Sequence, residues 1–335
     1  MLSINFKKKL LITLLIIAVV LIAINIFLQL NDKSATNENS IIDGKNYSAE
    51  FRKVLDEFDI DNSSIKEIKT SNKNQSNEFS NFKIQVPKDL TIPEILLEVY
   101  NTFRKDSILI SSVEKVKNGK TTLLLKNGSK TILSAEFEYS KTYSRNKGYL
   151  GFIIEDADLE DPQVSSLIDS QFKINFLLRP ETDLQKNLEN VMKNGQQYSV
   201  LIDDDITEQK YKLGPNFSKQ RVINVVKTLV TDFRNSVCFV IDENSDFYKS
   251  KNYQVLKSEL TKRKIKLFSS SDFTNLAFSD SLISDFDSNV NSLKDGESIV
   301  FIVNEEVFRA LDDEILKFQK KGFRVITSSL ILINK

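Results

Sequence analysis

Apolar positions in this chain fall into two rhythms, and their order divides it. From Tyr149 onward, short continuous apolar runs alternate with stretches of helical spacing. The runs are Tyr149–Ile154, Phe172–Leu178, Tyr198–Ile202, Ser236–Ile241, Ile265–Phe268, Ser298–Val303 and Phe323–Ile326. Continuous rather than alternating apolar character predicts strands buried on both faces, as in a parallel sheet. Helices are predicted over Gln163–Ser170, Thr182–Lys193, Ser218–Phe233, Lys251–Arg263 and Glu305–Lys320. Gly195 and Gly322 follow two of them, where a left-handed residue closes a helix. Thr274 to Asn291 reads as a long loop with a short helix. The expectation is a seven-stranded parallel α/β domain over 148–335, with helices outside and the strand ends on one rim.

Upstream, the rhythm is different. Phe82-Lys-Ile-Gln-Val86 alternates like a strand and stops at Pro87. Thr91 can cap a helix through Phe103 whose stripe is Ile92, Ile95, Leu96, Val99 and Phe103. Ser107–Val113 reads as a strand, and Thr121–Leu125, the turn Asn127-Gly128 and Thr131–Tyr139 read as a hairpin. This predicts a small α+β domain over 82–140, joined to the next by a polar connector, Lys141 to Lys147. Residues 31–81 read as a polar tether carrying one short helix. Ser48 is the candidate N-cap of that helix, with Phe51, Val54, Leu55 and Phe58 on its apolar side.

The first residues change the compartment. Lys7-Lys8-Lys9 precede 21 uncharged residues, Leu10 to Leu30, long enough to cross a bilayer as a helix. Phe27-Leu-Gln-Leu-Asn31 offers no small-x-small cleavage site, so 10–30 is expected to be an uncleaved signal anchor. The lysines place residues 1–9 in the cytoplasm and the later domains outside it, periplasmic or extracellular, in a single-pass membrane protein.

Composition then excludes chemistries. The 335 residues contain no histidine, which rules out imidazole acid–base catalysis, histidine triads and imidazole zinc sites. Lys+Arg and Asp+Glu are 46 each, so no basic excess points to nucleic acid, and none is expected as a partner. The one cysteine, Cys238, lies inside Val237-Cys-Phe-Val-Ile241 and is expected to be a buried strand residue.

What remains is a rim of acids. The strands end in Glu155-Asp156, Asp203-Asp204-Asp205, Asp242-Glu243-Asn244 and Asn304-Glu305-Glu306. Acids there also serve as helix caps that complement the helix dipole, and that reading stays open beside a functional one. The functional reading is a carboxylate cage for a hard cation, or an acidic pocket for a polyhydroxyl or cationic ligand. Aromatic residues that could stack on a sugar near this rim are few, Tyr211 and Phe273.

The ordered segments resemble the divergent polysaccharide deacetylases, metal-dependent carbohydrate esterases, from about Gly148 to Ile333. Gly151-Phe-Ile-Ile-Glu-Asp-Ala-Asp158 is similar to the family's first strand with its acidic pair, and Phe172 to Pro180 to its second. Gln197 to Asp203 resembles a strand that ends in histidine. Leu213-Gly-Pro-Asn-Phe-Ser218 resembles the helix entry, and Val237 to Ser245 the Asn-Asn-His segment. Ile326-Thr-Ser-Ser-Leu-Ile-Leu332 resembles the closing strand. The resemblance implies an irregular β/α barrel. It puts Glu155 at the position of the base and Asp156 at that of a metal ligand. The family's histidines fall on or beside Asp203 and Asp242, and near Val303-Asn-Glu-Glu306. Its Asp-Ser pair becomes Ser269-Ser270. The implied protein is catalytically degenerate, not an enzyme. It would be a membrane-anchored, deacetylase-like module that binds a glycan or a protein partner in the cell envelope. No cofactor is expected and zinc least of all. Two alternatives stand beside it. One is an active deacetylase or hydrolase with Glu155 as base and Asp156, Asp203 and Asp242 holding Ca²⁺ or Mg²⁺. The other is a purely structural component of an envelope complex.

Overall fold

The computed structural model describes residues 46–71, 78–104, 108–117 and 119–333. The predicted anchor at 10–30 and the cytoplasmic 1–9 lie outside the described residues. Among those described, no helix is long and apolar enough to cross a membrane. The chain forms two compact units. One holds the described residues up to Val54, with Asn62–Gln85 and Ile92–Glu138. The other holds Leu55–Asp61, Val86–Thr91 and Tyr139–Lys335.

The smaller unit has helix α1 (Tyr47–Glu57), strands β1 (Ile65–Ser71) and β2 (Glu78–Val86), helix α2 (Ile92–Phe103), and strands β3 (Leu109–Glu114), β4 (Thr121–Asn127) and β5 (Lys130–Tyr139). Its five-stranded sheet runs β1-β2-β5-β4-β3. The predicted helix stripe is its core: Ile92, Ile95, Val99 and Phe103 are buried with Phe51, Phe82, Leu123, Leu125 and Phe137. Gly128 takes the left-handed conformation that the predicted hairpin turn needs (φ +57°). Two features differ from the sequence reading. Ile65–Ser71 is a strand, where a polar tether is predicted. Asn46, not Ser48, caps α1, its Oδ1 accepting from the Ala49 amide at 3.0 Å.

Ser48 is instead spent on Glu67. Its hydroxyl and that of Ser80 donate to Glu67 Oε1 at 2.6 and 2.7 Å, and Arg52 Nη2 donates to Oε2 at 2.7 Å. Burial raises the pKa of this carboxyl, but the three donors outweigh it and hold it at about 2, against an ordinary 4.5. A depressed acid stabilises the fold above its unfolded pKa. This contribution is therefore complete above about pH 4.5 and fades as the pH falls towards 2. Glu67→Gln is expected to cost about 1 kcal/mol at pH 7, discounted because Arg52 is exposed, and to cost little near pH 3. Urea unfolding at the two pH values reads the difference; an equal loss at both would show that the charge is not what matters.

The larger unit contains β6 (Gly148–Ile154), α3 (Pro162–Ile168), β7 (Ile174–Leu178), α4 (Leu184–Lys193), β8 (Gln197–Ile202), α5 (Lys219–Asp232), β9 (Phe239–Ile241), α6 (Asn252–Lys262) and β10 (Leu267–Ser269). It continues with β11 (Thr274–Asn275), α7 (Leu282–Asn291), β12 (Glu297–Val303), α8 (Glu305–Ala310), α9 (Asp312–Lys320), β13 (Phe323–Val325) and α10 (Ser328–Leu332). All seven predicted strands are present. The sheet order is β10-β9-β8-β7-β6-β12-β11, with β13 also pairing with β6, and every one of these ladders is parallel. β10 and β11 stand at opposite ends of that order, yet only residues 270–273 join them. A link that short forces the sheet to curl back on itself. Because β10 and β11 do not pair, the curl stays open rather than closing as a barrel.

Alternation along the strands gives the curl two faces. Leu150, Phe152, Ile154, Ile174, Phe176, Val200, Phe239 and Phe301 pack outward against the helices. Ile153, Leu177, Cys238, Val240, Val300 and Ile302 form a second core inside the curl. Cys238 is buried and free, as predicted. Ile331 and Leu332 of α10 complete the inner core, so the segment resembling a closing strand is a short helix that plugs the curl. Gly151 makes room for it: a Cβ there would lie 2.9 Å from Ile331 Cδ1. Gln197 Nε2 donates to Ser329 Oγ at 2.7 Å at one end of α10, and Lys266 Nζ donates to the Leu332 carbonyl at 2.7 Å at the other. Two further differences are local. The predicted helix Glu305–Lys320 breaks at Leu311, and the segment Thr274–Asn291 holds, besides the helix predicted there (Leu282–Asn291), a two-residue strand.

Candidate functional site

The same alternation aims the strand ends. Continuing the inner face past each strand brings Glu155, Arg179, Asp203, Asp242 and Asn304 to one mouth of the curl. Each predicted site residue is therefore on this rim, but they do different things.

Arg179 sits at the centre. Its Nε donates to Asp203 Oδ2 at 2.6 Å and its Nη1 to Asp156 Oδ1 at 3.2 Å, while Nη2 lies 3.8 Å from Asp205 Oδ2. Asp156 breaks the strand alternation by taking a left-handed backbone (φ +51°). Aspartate tolerates that conformation better than most residues. It lets Asp156 turn back to Arg179 rather than continue outward. Asp203 is buried, and its Oδ1 accepts from the Asp205 amide at 3.1 Å. Arg179 is thus gripped by two acids and approached by a third. Burial lowers its pKa, but the Asp203 hydrogen bond and charge outweigh that, so it stays a cation. Burial pushes Asp203 above its ordinary value, with Arg179 and the Asp205 amide pulling the other way.

Asp242 stands apart from this cluster. Its Oδ1 accepts from the Asn244 amide at 2.9 Å, and the ion pairs of Arg179 are with Asp156, Asp203 and Asp205. The helix-cap reading describes Asn304, which caps α8 by accepting from the Val307 amide at 2.8 Å. Asp204 instead accepts from the Asp246 amide of a turn at 2.6 Å. Among the described residues no group of three or more acidic or cysteine side chains is placed to hold a metal ion. The donor set is poor for a metal on chemical grounds as well. The carboxylates that converge do so on a guanidinium, which competes with any cation for the same oxygens.

Glu155 is half-buried and its backbone amide donates to the Val303 carbonyl at 2.9 Å. Burial raises its pKa, Asp156 raises it further, and Arg179 opposes both. A raised acid binds more protons folded than unfolded, so its effect on stability is favourable at low pH and turns unfavourable as the pH rises through that window. Glu155→Gln is therefore expected to raise the melting temperature at pH 7, by at most about 2–4 °C, and to leave it unchanged near pH 4. A fall at pH 7 would mean that Glu155 is a partner in the fold rather than a strained rim acid.

Beside Arg179 opens a cleft of about 530 Å³. Leu159, Leu177, Leu178, Leu184 and Leu201 are its apolar lining. Asp156, Asp158, Glu160, Glu181 and Asp183 surround it, with Asn187 as an uncharged polar group. Five carboxylates against one already paired arginine make it strongly acidic. The aromatic residues expected near the rim do not serve it. Tyr211 is buried against Phe233 with its hydroxyl donating to Asp232, and Phe273 is buried against Phe268. Arg179 itself gave no sequence signal. A single arginine before Pro180 looks like an ordinary strand exit, and only its position between two acidic strand ends could have marked it.

No family model matches the chain, and no curated protein does. Several solved structures do. A family 4 carbohydrate esterase of Bacillus subtilis is 14% identical and matches over 57% of this chain and 82% of its own, with a TM-score of 0.34. A CE4-family pseudoenzyme from Bacillus anthracis is 12% identical, over 68% of this chain and 92% of its own, at a TM-score of 0.33. A mutant of a CE4-family pseudoenzyme with restored enzymatic activity is 12% identical, over 70% of this chain and 97% of its own, at a TM-score of 0.36.

Proposed function

We propose that this protein is a catalytically degenerate, deacetylase-like module, anchored in the membrane by residues 10–30, whose acidic cleft binds an envelope glycan or a protein partner outside the cytoplasm. The observation that carries the reading is Arg179 held by Asp156 and Asp203 at 3.2 and 2.6 Å. By the resemblance, Asp156 stands at a metal-ligand position and Asp203 on or beside the position of a metal-binding histidine. Here a side chain of the protein neutralises them, and the chain has no histidine to complete a zinc site. A hydrolase of that kind needs an open metal position that activates water. A guanidinium cannot supply one. What the rim offers instead is recognition: carboxylates and the Asn187 amide accept and donate hydrogen bonds to hydroxyl or ammonium groups beside an apolar lining.

Purified protein incubated with zinc and an acetylated glycan is expected to release no acetate. Turnover that Asp156→Ala abolishes would sink the proposal. Calorimetry with Ca²⁺ or Mg²⁺ near neutral pH addresses the carboxylate-metal alternative, for which heat of binding lost in Asp203→Asn would be needed. Cross-linking from the cleft in native envelopes separates a glycan ligand from a protein one. Protein adducts alone would favour a structural role in an envelope complex.

A further inference from the structure

We infer that two copies of this protein pair edge to edge through β3, joining their five-stranded sheets into one continuous sheet. β3 ends the sheet order, with β4 as its ladder partner. Sheet edges are normally protected by lysine, proline, a bulge or a cover. Leu109-Ile-Ser-Ser-Val113 has none of the first two, and its ladder with β4 runs without a register shift. Leu109 and Val113 are 60% and 61% exposed, so no part of the described chain covers them.

The register points to a second copy as the occupant. Ser112 and Ile110 lie opposite the buried Leu123 and Leu125, so they share the helix-facing side. Leu109, Ser111 and Val113 lie opposite Lys126, Leu124 and Thr122 on the open side. A two-fold axis makes two β3 edges antiparallel. Keeping open face beside open face requires the axis to pass at a residue, since a slip of one residue would invert every side chain. An axis at Ser112 sets Leu109 against Lys115 and Ile110 against Glu114. An axis at Ile110 leaves Val113 beyond the pairing. An axis at Ser111 sets Leu109 against Val113 of the second copy, twice, with Ser111 facing itself, and leaves Glu114 opposite Ile108, just outside the strand. Of the three registers only this one pairs the exposed Leu109 and Val113 with each other, and the half-buried Leu124 flanks the new seam on each side.

The test uses the full chain in detergent micelles. Directly opposed residues have Cα atoms about 4.5–5.5 Å apart, within disulfide reach. Ser111→Cys is expected to form a disulfide-linked dimer under mild oxidation, at least about tenfold more than Ser112→Cys, which faces Ile110. Cys238 stays silent, because it is buried and its thiol is pushed up to about 11. By sedimentation, the double variant L109K/V113K places lysine against lysine and should weaken the dimer at least about tenfold, whereas L109K/V113E places lysine against glutamate and should restore it. A native protein that stays monomeric in micelles up to about 100 μM overturns the inference. So does cross-linking of Ser112→Cys equal to that of Ser111→Cys, a dimer indifferent to L109K/V113K, or equal weakening by L109K/V113K and L109K/V113E.

Discussion

Arg145→Ala is expected to cost the larger unit about 3–5 kcal/mol, the largest loss from any single charge among the described residues. The arginine comes from the stretch that reads as a polar connector, yet its side chain is only 3% exposed, and its partner Asp89 only 7%. Its amide donates to Asp89 Oδ1 at 2.8 Å and its Nε to Oδ2 at 3.0 Å, with Nη2 2.9 Å from the same oxygen. Nη1 donates to the carbonyls of Phe58 and Lys320. One guanidinium thus satisfies a carboxylate and two backbone acceptors from three distant segments of the unit. Alanine would strip the guanidinium from both carbonyls and from Asp89 Oδ2, leaving Asp89 only the residue-145 amide and the Ser144 hydroxyl on Oδ1. Burial raises the Asp89 pKa, but Arg145 outweighs it and holds the group below its ordinary value, so the aspartate left behind would be a buried charge. Arg145→Lys should recover little, because a compact ammonium cannot span acceptors that the planar guanidinium reaches from three separate nitrogens. Gly322 supports the same packing: a Cβ there would lie 2.9 Å from Arg145 Cβ, at a backbone φ of +102°. Urea unfolding of Arg145→Ala and Asp89→Asn, singly and together, measures the coupling. A loss below about 1 kcal/mol for Arg145→Ala would show that water replaces the bonds.

The sheet of the larger unit is legible because its strands are buried on both faces. Leu150 to Ile154 and Val300 to Val303 have no polar interruption, and nothing but a covered parallel strand or a buried helix looks like that. β1 fails the same test for a physical reason. Ile65 and Glu67 lie opposite Ile84 and Phe82, on the helix-facing side of the sheet. A glutamate there destroys the apolar alternation, and only Ser48, Arg52 and Ser80, far apart in sequence, make it acceptable. α10 misleads in the opposite direction. Ser-Ser-Leu-Ile-Leu has strand composition, but five residues folded into the mouth of a curled sheet bury more apolar surface as a plug. The rim shows the same limit. Strand ends located Glu155, Asp156, Asp203 and Asp242 on one side of the sheet. Which carboxylates meet depends on the left-handed turn at Asp156 and on the reach of Arg179, and neither has a local signature.

Arg179→Ala is the second large effect, and its pH dependence carries the functional argument. Asp203 has a side chain 7% exposed, Arg179 one 38% exposed. Removing the arginine leaves the buried aspartate with the Asp205 amide as its remaining donor and the Asp205 carboxylate as a nearby like charge. The expected cost at pH 7 is about 2–3 kcal/mol, less than at Arg145 because water reaches the outer edge of this pair. Without Arg179 the pKa of Asp203 rises further. A raised acid is protonated in the folded state at low pH, where its burial costs little, and is charged at high pH, where it costs most. The deficit of Arg179→Ala should therefore be greatest above neutrality and shrink as the pH falls through the carboxylate range. Arg179→Met with Asp203→Asn should recover most of it at every pH, since neither charge is then buried alone. A deficit constant with pH would mean that Arg179 acts by packing. In that case the rim would lose its claim to be a neutralised acid pair, and the case for a degenerate catalytic site would rest on the missing histidines alone.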